Sequence, residues 1–292
     1  MEDYVIRLIS KEANVRALLC TTTHLANKVC DKHETAATTT AALTQALTGG
    51  ALLGAMLKVR HRLAMRIEGN GALGKLIVEA DSYGVLRGYV GDPTVNLPLL
   101  PDGRQNVAKA IGVGLLTVIK DLRLKDLHTS SIALPTSEID QDITEFLIQS
   151  EQIPSDVRIG VAVGNDGRVV HAGGLLLQSM PPHNAAAFLN LVKRLNDLPP
   201  IEELLADGLS PEQMASRWFG EVEYEQLEKR PLTFQCSCSR ERTAQALLAL
   251  GAEELQELLD SEGEAEIDCQ FCRQTYKFDS DDLRWLIEQA SA

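Results

Sequence analysis

Four of the six cysteines stand in two tight pairs near the end of the 292-residue chain, and they constrain its fold more than any other feature. Cys236 and Cys238 form the first pair, Cys269 and Cys272 the second, and 30 residues separate the pairs. Zinc in proteins prefers four tetrahedral ligands, which two ligands from each of two turns provide. The spacing therefore predicts a small C-terminal zinc unit with all four coordination positions filled and none open for catalysis.

The same four thiolates fit two roles, a permanent structural site and an oxidation switch. A disulfide between Cys236 and Cys238 closes a small strained ring, and strained disulfides are readily reduced again. Zinc binding contributes roughly 10 kcal/mol or more to the folding of so small a domain, so losing a thiolate ligand to oxidation is expected to unfold residues 232–292. Spacing alone leaves an ordinary structural zinc ribbon as an open alternative.

The net charge of −13 is confined to the last third of the chain. Residues 1–200 carry 20 basic and 20 acidic side chains, whereas residues 201–292 carry 8 and 21. Because acidic surfaces repel phosphate backbones, we expect no nucleic-acid partner for the C-terminal third. No apolar run approaches the ~20 residues of a membrane helix, and the acidic start lacks the basic region of a signal peptide. The sequence therefore predicts a cytoplasmic protein with no membrane partner, where clustered cysteines indicate metal or redox chemistry.

Hydrophobic periodicity predicts an α+β fold with a mixed α/β core domain over residues 1–180. The Ala-, Leu- and Thr-rich segment 35–57 is long enough for a buried helix, and a second helix is expected over 138–152. Strands are predicted at 63–68, 75–80, 86–90, 115–120, 129–134, 157–163 and 169–177.

Residues 181–231 are predicted to form a helical linker between the core domain and a zinc-binding domain at 232–292. One apolar helical stripe is formed by Phe188, Leu191, Val192 and Leu195. Ser210 and Gln213 form a capping box with a proline between them, and Trp218 lies on the helix that follows. Short acidic helices with one apolar face each cannot form a core of their own, so we expect the linker to dock on the core domain.

Three stretches of the sequence resemble one known family in the same order along the chain. They are 234–242 (FQCSCSRER), 269–272 (CQFC) with YKF at 276–278, and 172–181 (AGGLLLQSMP). The turn at 68–71 (EGNG) is similar as well. On these motifs the chain resembles the bacterial redox-regulated chaperones, the thirty-three-kilodalton heat-shock proteins.

The resemblance implies a holdase, which binds unfolding proteins without ATP and is not an enzyme. The reduced form is expected to be inactive, with one Zn²⁺ held by Cys236, Cys238, Cys269 and Cys272. Oxidation is expected to join Cys236 to Cys238 and Cys269 to Cys272, to release zinc and to loosen the linker. The active form is expected to be a homodimer whose partners are unfolded or misfolded client proteins.

Two other classes of protein compete with this interpretation. A zinc-ribbon protein that binds nucleic acid is the first, and the acidic C-terminal third argues against it. A thiol oxidoreductase using the CxxC pair at 269–272 is the second, but it requires a strand–CxxC–helix context, whereas this pair is predicted to lie in a hairpin turn. The G-x-G-x-x-G match at 69–74 is also interpreted as a hairpin, and Cys20 and Cys30 as buried, inert thiols.

Overall fold

Two sheets and seven helices are built from residues 2–235, and a smaller unit with one hairpin and three helices is built from the remainder of the described chain. The structure, a computed structural model, describes residues 2–291 and divides the chain into two units, Met1–Gln235 and Cys236–Ala292. In chain order the first unit contains β1 (Tyr4–Ser10), β2 (Val15–Thr21), α1 (Thr23–His33), α2 (Ala37–Ala55), β3 (Arg62–Gly69), β4 (Lys75–Asp81), β5 (Val85–Val90), α3 (Val107–Ile111), β6 (Gly114–Asp121), β7 (His128–Ala133), α4 (Ile139–Gln149), β8 (Ser155–Val163), β9 (Val169–Ser179), α5 (Ala185–Asn196), α6 (Ile201–Ala206), α7 (Pro211–Phe219), β10 (Glu225–Pro231) and β11 (Thr233–Phe234). The second unit contains α8 (Arg240–Leu248), α9 (Ala252–Ser261), β12 (Ala265–Asp268), β13 (Thr275–Phe278) and α10 (Ser280–Ala290).

The first unit is framed by a five-stranded and a six-stranded sheet. The five-stranded sheet has the order β10-β1-β2-β9-β8 and is antiparallel throughout. The six-stranded sheet has the order β11-β5-β4-β3-β6-β7, with β11 parallel to β5 and the other pairs antiparallel. Each of the seven predicted strands forms within two residues of its expected bounds. The predicted α+β class is confirmed.

Helix α2 contacts both sheets and is the centre of the main core. Of its 19 residues, 17 are buried, as expected of a helix that is apolar on every side. Its threonine hydroxyls find partners inside the core: the Thr48 hydroxyl donates to the Thr44 carbonyl at 2.8 Å. We call the 42 buried residues around α2 the central core. The helix predicted over 35–57 is confirmed.

The outer face of the five-stranded sheet is covered by α5, α6 and α7, which we call the linker helices. A separate cluster of 15 buried residues, the cover core, joins them to the sheet. Trp218 of α7 is 1% exposed, and its ring N–H donates to the Leu191 carbonyl of α5 at 2.9 Å. The expectation that these amphipathic helices dock on a larger surface is confirmed for residues 185–219.

The end of the predicted linker differs from the expectation. Residues 225–231 form the strand β10 instead of a helix, and they pair with β1. Thr233 and Phe234, expected to begin the zinc domain, pair with β5 within the first unit. Backbone pairing with an available sheet edge determines the conformation of this segment, because its charged sequence (EQLEKRP) has little β-strand propensity of its own.

The second unit is a hairpin packed against three helices. The strands β12 and β13 pair from Ala265↔Phe278 to Asp268↔Thr275. Six buried residues form its core: Leu247, Leu255, Ala265, Phe278, Leu283 and Leu286. The predicted hairpin around the second cysteine pair is confirmed. In residues 2–291, no helix has both the length and the apolar character to cross a membrane.

Candidate metal centre

The sulfur atoms of Cys236, Cys238, Cys269 and Cys272 converge within the second unit. All four lie within 4.8 Å of one another, with Sγ–Sγ distances of 3.6 Å for Cys236 and Cys269 and 3.3 Å for Cys238 and Cys272. A tetrahedral zinc ion with bonds of ~2.3 Å places its sulfurs about 3.8 Å apart. The separations therefore fit one zinc ion bound by both pairs. Within residues 2–291 this is the only group of three or more Cys, His, Asp or Glu side chains arranged to hold a metal.

The first cysteine pair lies on the short segment that leads into α8. Ser239 is the N-cap of α8, and its hydroxyl accepts from the Arg242 N–H at 3.3 Å. The Arg242 guanidinium reaches back to Ser237, donating to its carbonyl at 3.0 Å and to its hydroxyl at 2.8 Å. Cap and guanidinium together fix the backbone between Cys236 and Cys238, so both sulfurs are presented to the same side.

The second cysteine pair lies in the turn that joins β12 to β13. The Cys269 N–H donates to the Gln274 carbonyl at 2.9 Å, and the Arg273 N–H donates to the Cys269 carbonyl at 2.8 Å. Arg273 has φ 58°, in the left-handed region, which tightens the turn after Cys272. These hydrogen bonds close the loop as a hairpin turn. This context differs from the strand–CxxC–helix arrangement of a thiol oxidoreductase.

Two side chains that carried no assigned role in the sequence support this centre. The Tyr276 hydroxyl of β13 donates to the Cys238 sulfur at 3.1 Å, which links the second turn to the first. Arg240 of α8 pairs with Asp282 of α10, and its guanidinium lies 4.4 Å from the centroid of the Phe278 ring. Both residues belong to the resemblance motifs, but only their positions in the fold explain what they do.

Electrostatics favour a cation among the four sulfurs. Burial raises the pKa of the Cys272 thiol to about 12, and burial also raises the pKa of Cys269. The hydrogen bond to Cys238 raises the pKa of the Tyr276 phenol to about 12. The thiols of Cys269 and Cys272 therefore resist ionisation, and a divalent ion beside them supplies the positive charge that favours their thiolate forms. The donor set, four thiols without a carboxylate, suits zinc.

The other two cysteines belong to the first unit and lie in its central core. Cys20 on β2 is completely buried, and Cys30 on α1 is 5% exposed with its sulfur 3.9 Å from the Thr44 hydroxyl. Burial raises the pKa of both thiols, which keeps them protonated and unreactive at neutral pH.

A cleft at the margin of the linker helices holds several charged groups. It is lined by Arg104, Asp140, Arg158, Glu202 and Trp218 among others. Helix α6 begins directly against the backbone of β8, where a Cβ on Gly160 would lie 2.5 Å from the Glu202 nitrogen. Burial raises the pKa of the Glu202 carboxyl and that of Asp140, so each charged form is disfavoured while the helix is docked.

Comparisons with known proteins agree along the whole chain. The sequence model of the family described as "Hsp33 protein" matches residues 3–279. The 33 kDa chaperonin of Citrifermentans bemidjiense is 46% identical over 290 residues, covering 99% of this chain and 98% of its own. That of Geobacter sulfurreducens is 45% identical, covering 99% and 96%. A crystal structure of the 33 kDa chaperonin from Thermotoga maritima superposes with a TM-score of 0.91 at 31% identity, covering 99% of this chain and 98% of that one.

Fold, four-cysteine cluster and relatives together define a molecular chaperone with a candidate metal centre in a small C-terminal unit. The chain belongs to the Hsp33 family. The resemblance seen in the sequence motifs is thereby confirmed, and the family is one of chaperones, not enzymes.

Proposed function

We propose that this protein is a redox-regulated, ATP-independent holdase that is inactive when reduced and zinc-bound and active when oxidised. The observation that carries the proposal is the convergence of Cys236, Cys238, Cys269 and Cys272 in a unit with only six buried core residues. A unit so poor in apolar core depends on its metal for folding, because structural zinc supplies roughly 10 kcal/mol or more to domains of this size. Oxidation of the ligands thus becomes a change of structure.

The chemistry of the switch assigns each cysteine two states. Bound zinc keeps the four sulfurs as thiolates, the form that reacts with oxidants. In the oxidised form Cys236 is joined to Cys238 and Cys269 to Cys272. Formation of each disulfide removes two electrons from a pair of thiolates. One molecule of hydrogen peroxide accepts these two electrons together with two protons and becomes two molecules of water. The disulfide sulfurs no longer serve as thiolate ligands, and the four cysteines release the ion.

The sulfur distances leave the pairing to experiment. Two close sulfur pairs join residues from different turns, Cys236 to Cys269 at 3.6 Å and Cys238 to Cys272 at 3.3 Å. The proposed pairing joins residues within each turn, where the short chain between them keeps the sulfurs together after the unit unfolds. Peptide mapping of the oxidised chain by mass spectrometry distinguishes these pairings, and a Cys236–Cys269 crosslink contradicts the proposal.

We further propose a division of labour along the chain: residues 1–180 bind clients, 181–231 cover the binding surface, and 232–292 control the cover. The covered surface is the outer face of the five-stranded sheet, with Ile6, Leu8, Leu19, Leu175 and Leu177 in the cover core. Apolar area contributes ~25 cal/mol per Å² when buried, so three short helices with narrow apolar faces hold this face by a small margin. Unfolding of residues 232–292 is proposed to release the helices from this face.

The proposed partners follow from the same surfaces. Unfolded or misfolded proteins bind the uncovered face in the cytoplasm, and the active form is a homodimer. Membranes and nucleic acids are not proposed as partners. The second unit carries 13 acidic and five basic side chains, which opposes binding to phosphate backbones.

Light scattering from a heat-unfolding test protein tests the proposal. The reduced, zinc-loaded chain is expected to leave aggregation unchanged, and the chain treated with hydrogen peroxide is expected to suppress it while releasing one zinc per chain. Oxidised Cys30→Ser is the matched control, because Cys30 lies outside the cluster, and it is expected to behave like the parent. If the reduced and oxidised chains suppress aggregation equally, whether or not zinc is present, redox control is contradicted.

A further inference from the structure

One segment, residues 225–235, covers an edge of each sheet. Strand β10 is the outermost strand of the five-stranded sheet and pairs with β1, while β11 is the outermost strand of the six-stranded sheet and pairs with β5. The chain crosses from one sheet to the other at Leu232, whose N–H donates to the Asp3 carbonyl at 2.9 Å. Removing this one segment therefore opens two sheet edges at once.

The crossing depends on a close approach to Gly84. The Thr233 N–H donates to the Gly84 carbonyl at 2.9 Å. Gly84 has φ +85°, and a Cβ at this position would lie 2.2 Å from the Pro231 carbonyl oxygen. The side chain of Leu232, 5% exposed, is the only one in 225–235 that joins the central core as a buried residue.

Strand β10 is held mainly through its backbone. None of its seven side chains is buried, and Leu227 is 52% exposed. Lys229 supplies contacts from its side chain: its ammonium is 3.8 Å from the centroid of the Tyr4 ring and 3.0 Å from a carboxylate oxygen of Glu212. By contrast, five of the seven residues of β1, the strand with which β10 pairs, are buried.

The segment ends immediately before Cys236, the first cysteine of the four-cysteine cluster. The Lys28 and Lys32 ammonium groups of α1 lie 5.7 and 5.8 Å from the centroid of the Phe234 ring. The Gln235 N–H donates to the Leu86 carbonyl at 3.2 Å, and the next residue is Cys236. The last backbone pairing with the first unit thus lies one residue from the metal centre.

We propose that the β1 and β5 edges covered by residues 225–235 bind extended segments of unfolded client chains as added β-strands. The inference rests on the proposed function, which supplies the release of the linker. A vacated edge offers a row of backbone N–H and C=O groups, and strand addition uses these groups whatever the added sequence. β10 demonstrates the mode: a strand with no buried side chain pairs along almost the whole of β1. Sequence-independent pairing suits a chaperone whose clients share no sequence.

An added client strand is expected to bury more apolar surface on the sheet than β10 does. Its side chains alternate between the two faces of the sheet, and one of those faces carries Tyr4, Ile6 and Leu8 of the cover core. Once the linker helices leave, apolar client residues at alternate positions extend that face, whereas the charged side chains of β10 do not. An extended stretch with alternating apolar residues, exposed in an unfolded protein but buried in a folded one, is thus the preferred occupant.

Hydrogen exchange on the full-length chain tests the inference. The reduced chain, the oxidised zinc-free chain, and the oxidised chain with reduced, carboxymethylated lactalbumin, which stays unfolded, are compared at residues 4–10 and 85–90. Oxidation is expected to speed exchange of the edge amides, and the unfolded protein is expected to slow it again by about tenfold or more. Light scattering on the same samples reports activity separately.

A peptide of the chain's own sequence sharpens the test. Residues 225–235 (EQLEKRPLTFQ) added to the oxidised chain are expected to protect β1 and β5 and to displace lactalbumin. The control peptide carries Leu227→Pro and Glu228→Pro, which removes an amide donor in either strand register, and it is expected to do neither. Suppressed aggregation without edge protection, or equal competition by both peptides, overturns strand addition and leaves the holdase proposal intact. An oxidised chain that fails to suppress aggregation overturns both.

Discussion

The two units of this molecule are stabilised by different means. The first has a central core of 42 buried residues and a cover core of 15, whereas the second has six buried residues and four converging thiols. Units of this smaller size bury too little apolar surface to be stable alone and usually need metals or disulfides. Under the proposed function, this difference explains why an oxidant acts on the second unit, whose four cysteines converge beside a core of six residues.

Loss of a metal ligand is expected to have the largest effect. Cys236→Ser removes one of four ligands, and zinc retention should fall sharply, with a loss of up to ~10 kcal/mol from the folding of the second unit. The first unit should keep its secondary structure, because its cores contain none of the ligands. Zinc analysis and limited proteolysis measure the two effects, with Cys30→Ser as the control. Equal zinc content in Cys236→Ser and the parent contradicts the ligand assignment.

A deletion in the cover core should have the next largest effect. Trp218→Ala removes the largest fully buried side chain and its hydrogen bond to Leu191, which costs ~3–5 kcal/mol. The linker helices should loosen while zinc stays bound, so the reduced variant is expected to suppress aggregation without an oxidant. Trp285→Ala is the matched control, since Trp285 is 54% exposed in the second unit. A reduced Trp218→Ala chain that stays inactive although its linker helices have become protease-sensitive contradicts the role of these helices as a cover.

Removal of the tyrosine hydroxyl beside the cluster should have a smaller effect, confined to the second unit. Tyr276→Phe deletes the hydrogen bond to the Cys238 sulfur, which withdraws electron density from that atom. The variant is expected to release zinc to hydrogen peroxide up to about tenfold faster, equivalent to ~1.4 kcal/mol. A chromogenic zinc chelator follows the release, and Tyr83→Phe, an exposed tyrosine of the first unit, serves as control. Unchanged or slower release refutes this role for the hydroxyl.

The smallest expected effect concerns pH and the docked linker. Burial raises the pKa of Glu202, so the docked form is more stable when this carboxyl is protonated and loses stability as the pH rises through the raised pKa. Asp140 acts in the same direction, and Arg104 opposes it. Glu202→Gln should weaken the pH dependence and slow proteolysis of 185–219 severalfold at neutral pH. Glu221→Gln, at an exposed position after α7 whose charge does not act on Glu202, should change neither. Faster proteolysis of Glu202→Gln than of the parent at neutral pH contradicts this sign.

Periodicity and cysteine spacing predicted the elements that are decided locally. The strands β3 to β9, helix α2, the capping box at Ser210 and the hairpin at the second cysteine pair follow from apolar alternation, composition and turn residues. Strand β10 could not be predicted, because its charged sequence becomes a strand only through the free edge of β1. The contact of Tyr276 with Cys238 could not be predicted either, since it joins two turns 38 positions apart.

The leucine run of β9 places neighbouring residues under unequal constraints. Leu176 points into the central core, whereas Leu175 and Leu177 point into the cover core. Under the proposed function, Leu176 packs in the same core in both redox states. Its neighbours pack against the linker helices in the reduced state and contact a client chain in the oxidised state. Natural variation at 176 is then limited by shape alone. At 175 and 177 each accepted substitution must fit the packed linker helices in one state and a bound client chain in the other, which restricts the choice of side chain further.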